Sequence, residues 1–122
     1  MIENASRKKY SILVVDDEPL IRESLFEILR IEGYSVQMAA SGEEAFKLLD
    51  KSRIDVVVTD FKLPKMNGLE LLGLIKKDFV EIEVIMITGY GSIEAAVEAR
   101  KKGAYDYITK PIRVHELVSS LE

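Results

Sequence analysis

The chain contains no cysteine, so neither a disulfide framework nor a thiolate metal site can form. Its longest apolar runs, such as Ile12-Leu13-Val14-Val15, are far too short to span a bilayer, and the polar start from Met1 to Lys9 lacks the apolar centre of a signal peptide. A cytoplasmic location without membrane association is the resulting expectation. Positive charge is not in excess either: 17 basic residues face 21 acidic ones, for a formal net charge of −4. A nucleic-acid module would carry a dense basic patch, and an acidic surface repels the phosphate backbone. Direct nucleic-acid binding by this domain is therefore not expected. Histidine is nearly missing: His115 stands alone, on a segment that reads as a helix, where an exposed side chain is a simpler account than a ligand or a base.

What is present is one domain's worth of polypeptide, 122 residues of which 48% are hydrophobic. A chain of this size buries roughly two-thirds of its unfolded surface, enough for a single core without covalent staples. Short β-branched runs alternate with longer amphipathic stretches five times along the chain. Ile12 to Val15, Val36 to Ala39, Val56 to Thr59, Val84 to Ile87 and Tyr105 to Ile108 read as strands. Pro19 opens a first helix whose apolar side carries Ile21, Leu25, Ile28 and Leu29, with Arg22, Glu23, Glu27 and Arg30 opposite and Gly33 closing it. Ser41 with Glu44 has the spacing of a capping box ahead of Ala45, Phe46, Leu48 and Leu49. Pro64 and Asn67-Gly68 mark a loop before Leu69, Leu71, Leu72 and Ile75. Gly89 and Gly91 predict a mobile loop, Ser92 a cap, and Ile93, Ala96 and Val97 the apolar side of a fourth helix ending at Lys101-Lys102-Gly103. A fifth helix begins at Val114.

Five βα units with short connections predict an α/β fold of the flavodoxin type: a doubly wound five-stranded parallel sheet, order 2-1-3-4-5, with helices on both faces. In such sheets ligands bind beyond the carboxyl ends of the strands, where the strand order reverses. Strand one ends in Asp16-Asp17, strand three in Asp60, strand four in Thr88, and strand five runs into Lys110, all at one edge. Converging carboxylates repel unless a cation compensates them, and hard oxygen ligands suit Mg²⁺. A hydroxyl and a lysine beside them are what a phosphoryl group needs. The crevice thus reads as a site for Mg²⁺ plus a phosphoryl group.

Four segments resemble the receiver domains of two-component response regulators: Val15-Asp16-Asp17-Glu18; Thr59-Asp60-Phe61-Lys62-Leu63-Pro64 with Asn67-Gly68; Ile87-Thr88-Gly89; and the stretch Gly103 to Pro111. The resemblance implies that Asp60 is the phosphoacceptor for a sensor histidine kinase and belongs to the Mg²⁺ site, that Asp17 holds Mg²⁺ directly and Asp16 through water, and that Lys62 contributes its main-chain carbonyl. It further implies a phosphoryl contact from Thr88 and Lys110, a cis Lys110-Pro111 bond, and a switch in which Thr88 and Tyr107 move and repack the surface of helix four, strand five and helix five. Self-association on phosphorylation belongs to the same expectation, as do positions Lys62 and Tyr90 tuning water access to the acyl phosphate.

The stretch from Thr88 to Pro111 is most similar to receivers of nitrogen-regulation-type transcription activators, so transcription would be controlled through an output domain outside this chain. Residues 1–9 are expected to form a flexible tail and residues 10–122 the receiver, with its last helix cut short. Two competing readings are weaker. A Mg²⁺-dependent phosphohydrolase of the haloacid dehalogenase type needs a second aspartate two residues after the nucleophile, and Lys62 stands there. An interaction module that no longer accepts phosphate would not need the full acidic, Thr and Lys set. Gly89-Tyr90-Gly91 lacks the third glycine and the Lys-Ser/Thr of a nucleotide loop.

Overall fold

A computed structural model describes residues 10–89 and 93–121. The expected tail, Tyr90, Gly91 and the proposed Ser92 cap lie outside the described residues. The elements alternate in chain order: β1 (Ser11–Val15), α1 (Pro19–Ile31), β2 (Ser35–Ala39), α2 (Gly42–Lys51), β3 (Val56–Asp60), α3 (Gly68–Asp78), β4 (Glu83–Thr88), α4 (Ile93–Lys101), β5 (Asp106–Thr109) and α5 (Val114–Leu121). All strand pairings are parallel and the sheet order is β2-β1-β3-β4-β5, as the alternation predicts.

Both faces of the sheet are covered, which is why β1 and β3 read as continuous apolar runs rather than alternating ones. Successive residues of β1 serve opposite sides. Ile12 and Val14 pack with Leu25 and Leu29 of α1 and Leu117 and Leu121 of α5. Leu13 and Val15 pack with Ala45 and Leu49 of α2, Leu71, Leu72 and Ile75 of α3, and Ala99 of α4. Each fully buried aliphatic side chain contributes about 2 kcal/mol through removal from water.

The helix ends follow local chemistry. Pro19 occupies the first turn of α1, where a missing N–H is harmless. Gly33, at φ 103°, adopts the left-handed turn after that helix, with Tyr34 N donating to Leu29 O at 3.1 Å. The Ser41 side chain accepts from Glu44 N, but the Glu44 carboxylate reaches Ala40 N instead of Ser41 N, so only half of the expected capping box forms. A complete box occurs at α3: Asn67 Oδ1 accepts from Glu70 N at 2.9 Å and Glu70 Oε1 accepts from Asn67 N at 3.0 Å.

The apolar side expected for α4 is also corrected. Ile93 and Val97 are 80% and 46% exposed, whereas Ala99 is fully buried and Ala95 and Ala96 are half-buried. This helix meets the sheet through alanines, and Ile93 and Val97, one turn apart, face outward. β5 is displaced by one residue from its expected span and begins at Asp106.

Candidate functional site

Strand register brings the chemistry together. Val15 pairs with Thr59, so the residues that follow, Asp16 and Asp60, leave adjacent strands side by side at the point where strand order reverses. Thr88 pairs with Thr109, and Lys110 comes next. Lys110 N donates to Thr88 O at 2.7 Å, and the Lys110-Pro111 peptide is cis.

Carboxylate oxygens of Asp16, Asp17 and Asp60 all lie within 4.8 Å of one another. Asp16 and Asp60 are 2% and 7% exposed, whereas Asp17 is exposed. Lys110 Nζ stands 3.5 Å from Asp60 Oδ2 and 4.0 Å from Asp16 Oδ2. Asp16 Oδ1 accepts from Glu18 N at 2.9 Å, and Asp60 Oδ1 from Lys62 N at 3.4 Å. An open cleft of about 450 Å³ is lined by Asp17, Glu18, Asp60, Lys62, Thr88, Gly89 and Lys110. Thr88 ends β4 with only 1% of its surface exposed. Tyr107 does not line this cleft. It lies half-buried on β5 against the cluster beneath α2, α3 and α4.

Burial raises the proton affinity of both inner acids. The Asp16 carboxyl is pushed above the ordinary value of 3.8 chiefly by desolvation, with the neighbouring Asp60 and Asp17 charges adding to the rise and Glu18 N and Lys110 opposing it. Asp60 is raised for the same leading reason, against the pull of Lys110 and Lys62 N. Two ammonium groups, of Lys62 and Lys110, beside the four carboxylates of Asp16, Asp17, Glu18 and Asp60 leave the pocket electronegative. Three hard oxygen donors around an open cleft with residual negative charge fit a hard divalent cation, so the group can hold a metal ion.

Glycine supplies the closeness. A Cβ at Gly68 would lie 2.6 Å from Asp60 O and 2.9 Å from Phe61 Cα, so the α3 N-terminus sits directly on the main chain of β3's last residue. In the sequence the Asn67-Gly68 pair marks a loop and belongs to a receiver-like segment, and neither reading shows its contact with Asp60. Arg22 is a second residue that pattern reading missed. It was assigned to the polar side of α1, yet its Nη1 donates to Asp16 O at 2.9 Å. A separation of six residues between a helix side chain and a preceding strand-end carbonyl has no periodic signature.

A doubly wound sheet with an acidic pocket, a strand-end hydroxyl and a lysine at its switch point is the arrangement of a receiver-type signalling domain. Residues 12–122 match the response regulator receiver domain, and the chain belongs to that family. It is 42% identical over 111 residues to the nitrogen assimilation regulatory protein NtrX of Azorhizobium caulinodans, covering 89% of this chain and 24% of that protein. The chain thus spans about a quarter of the length of the curated relatives it matches. Among solved structures, a response regulator receiver domain protein from Clostridium thermocellum superimposes with a TM-score of 0.87 at 37% identity, over 92% of this chain and 90% of that one. A CheX–CheY–BeF3–Mg²⁺ complex from Borrelia burgdorferi contains a chain matching with a TM-score of 0.86 at 31% identity, over 92% and 86% of the two chains.

Proposed function

We propose that Asp60 accepts a phosphoryl group from a phosphohistidine of a sensor histidine kinase. The observation that carries this reading is the placement of Asp60. It is a desolvated carboxylate at a strand end, opening on a cleft, with Lys110 Nζ 3.5 Å away and two further carboxylates beside it. An Asp60 oxygen attacks phosphorus in line, and an O–P bond forms as the N–P bond to the imidazole breaks. The departing nitrogen keeps the bonding pair and takes up a proton. Asp16, Asp17, Asp60 and the main-chain carbonyl of Lys62 would hold Mg²⁺. When bound, the ion supplies neutralisation of charge on the phosphoryl oxygens. Lys110 meets one of those oxygens as a point charge, and the Thr88 hydroxyl donates to another. Support for Mg²⁺ comes from the hard donor set and from the BeF3–Mg²⁺ complex of the Borrelia relative.

The acyl phosphate then biases two packings of one fold. Thr88 is drawn toward the phosphoryl oxygens, Tyr107 turns inward, and the surface of α4, β5 and α5 changes its affinity for a partner, including a second copy of the domain. Similarity to the transcriptional regulatory protein GlrR of Escherichia coli, 35% identical over 117 residues, supports control of transcription through a domain outside this chain. The domain is read as a cytoplasmic phosphoacceptor that binds no nucleic acid itself. It turns over no external substrate beyond its own phosphorylation and dephosphorylation. Among the described residues no helix is long and apolar enough to cross a membrane.

Incubation with a small acyl phosphate donor and intact-mass measurement test the reading. One phosphoryl group per chain, dependent on Mg²⁺ and lost in Asp60→Asn, is the expected result. Labelling that persists in Asp60→Asn overturns the assigned acceptor, and multiple turnover of a simple phosphoester would replace the signalling reading with a hydrolase.

A further inference from the structure

We infer that Arg22 is a positioning residue for the metal-binding carboxylates. This rests on the reading of the acidic pocket as a Mg²⁺ site. Arg22 lies within the first turn and a half of α1, where the partial positive charge of the helix N-terminus disfavours a cation. Its position therefore calls for another reason. That reason is the hydrogen bond from Nη1 to Asp16 O at 2.9 Å, made by a half-buried side chain reaching back over the β1–α1 turn.

Among the described residues the turn is held at Asp16 by three hydrogen bonds, beside the longer ion pair of Asp16 Oδ2 with Lys110 Nζ at 4.0 Å. Asp16 N donates to Ala39 O of β2 at 3.1 Å, Asp16 Oδ1 accepts from Glu18 N at 2.9 Å, and Asp16 O accepts from Arg22. Asp17 is exposed and makes no hydrogen bond or ion pair with another described residue, so the direction of its carboxylate is set by the main chain of this turn. Of the three bonds, only the Arg22 bond comes from a side chain outside the turn itself. Loss of it frees the peptide between Asp16 and Asp17 to rotate, and with it the geometry of two of the three clustered acids.

The sign of the effect separates positioning from bulk charge. By Coulomb attraction and repulsion alone, a guanidinium near a dication site weakens binding, so its removal should tighten Mg²⁺. Positioning predicts the reverse. Groups that orient ligands from outside the coordination shell typically change metal affinity by about 10- to 100-fold.

The experiment titrates MgCl₂ into the metal-free domain and follows backbone amide chemical shifts, with melting in Mg²⁺-free buffer recorded alongside. Arg22→Met keeps the aliphatic stem and removes the donors. Its expected result is a Mg²⁺ dissociation constant raised about tenfold, with a cooperative metal-free melt lowered by no more than the loss of a single hydrogen bond allows. Arg22→Lys, which keeps the charge and can offer a single N–H, should fall between wild type and Arg22→Met, and carries the test if the methionine variant does not fold. Equal or tighter Mg²⁺ binding by the variants overturns the inference while leaving the metal site standing. Absence of Mg²⁺ binding by the wild type overturns the metal reading and this inference with it.

Discussion

Lys110 Nζ lies 3.5 Å from Asp60 Oδ2 although the two residues are 50 positions apart in the chain. The contact joins the loop after β5 to the end of β3, across the intervening strand β4. It is an ammonium placed among acids that burial has already made reluctant to ionise, and several expectations follow from it and its surroundings.

Replacing Lys110 by Met removes that positive charge from a pocket of three carboxylates. Loss of one partner from a buried ion pair costs about 3–5 kcal/mol, and the partial exposure of Lys110, 23%, screens the pair and brings the expected loss to about 1–2 kcal/mol in metal-free buffer at neutral pH. Urea unfolding with and without Mg²⁺ checks this. The deficit should shrink when Mg²⁺ is present, because a ligand of the folded state alone stabilises by mass action.

Stability should also depend on pH in a specific direction. Asp16 and Asp60 both bind protons more readily folded than unfolded, so between the ordinary value of 3.8 and their raised values the folded state holds more protons. Stability from these two groups then rises as pH falls through the raised values toward 3.8, and is lost again as pH climbs. Melting curves of wild type and Asp60→Asn in metal-free buffer isolate the contribution. The variant should be more stable near neutrality, and the gap should close on acidification.

The same glycine-to-alanine change should have opposite effects at two positions of α3. At Gly68 the new Cβ meets main-chain atoms of Asp60 and Phe61 that cannot yield, and a loss of about 3 kcal/mol is expected. At Gly73, exposed within the helix with nothing within 4 Å of the added atom, a gain of about 1 kcal/mol is expected from helix propensity. Chemical denaturation of the two variants measures both.

Asn67→Ala removes the acceptor for Glu70 N and should cost about 1 kcal/mol. Asn67→Asp keeps the acceptor and adds charge at a helix N-terminus, so a gain of about 0.5 kcal/mol is expected, reduced by salt. Thermal melts at low and high ionic strength distinguish the two effects.

Strand order, the two-sided core and the edge at which Asp16, Asp17, Asp60, Thr88 and Lys110 gather were all legible in the linear pattern. Runs such as Ile12 to Val15 and Val56 to Thr59 are apolar at every position because a parallel sheet buried on both faces demands it. The polar residues ending those runs must emerge at one edge, because parallel strands share a direction. Helix caps were less legible. Ser41 and Asn67 have the same spacing to a glutamate, and only the folded main chain determines which glutamate closes a full box.

The amino-acid pattern by itself thus determined the fold class and the membership of the acidic, hydroxyl and lysine set, since both follow from short-range periodicity and from where each strand stops. Tertiary structure alone decided the rest. The alanines of α4, and not Ile93 and Val97, meet the sheet, because small side chains permit close approach and the rotational setting of a helix is a property of its neighbours. Arg22 turns back to the Asp16 carbonyl, and Gly68 lies against Asp60, because contacts between elements depend on how the elements pack and carry no period in the chain.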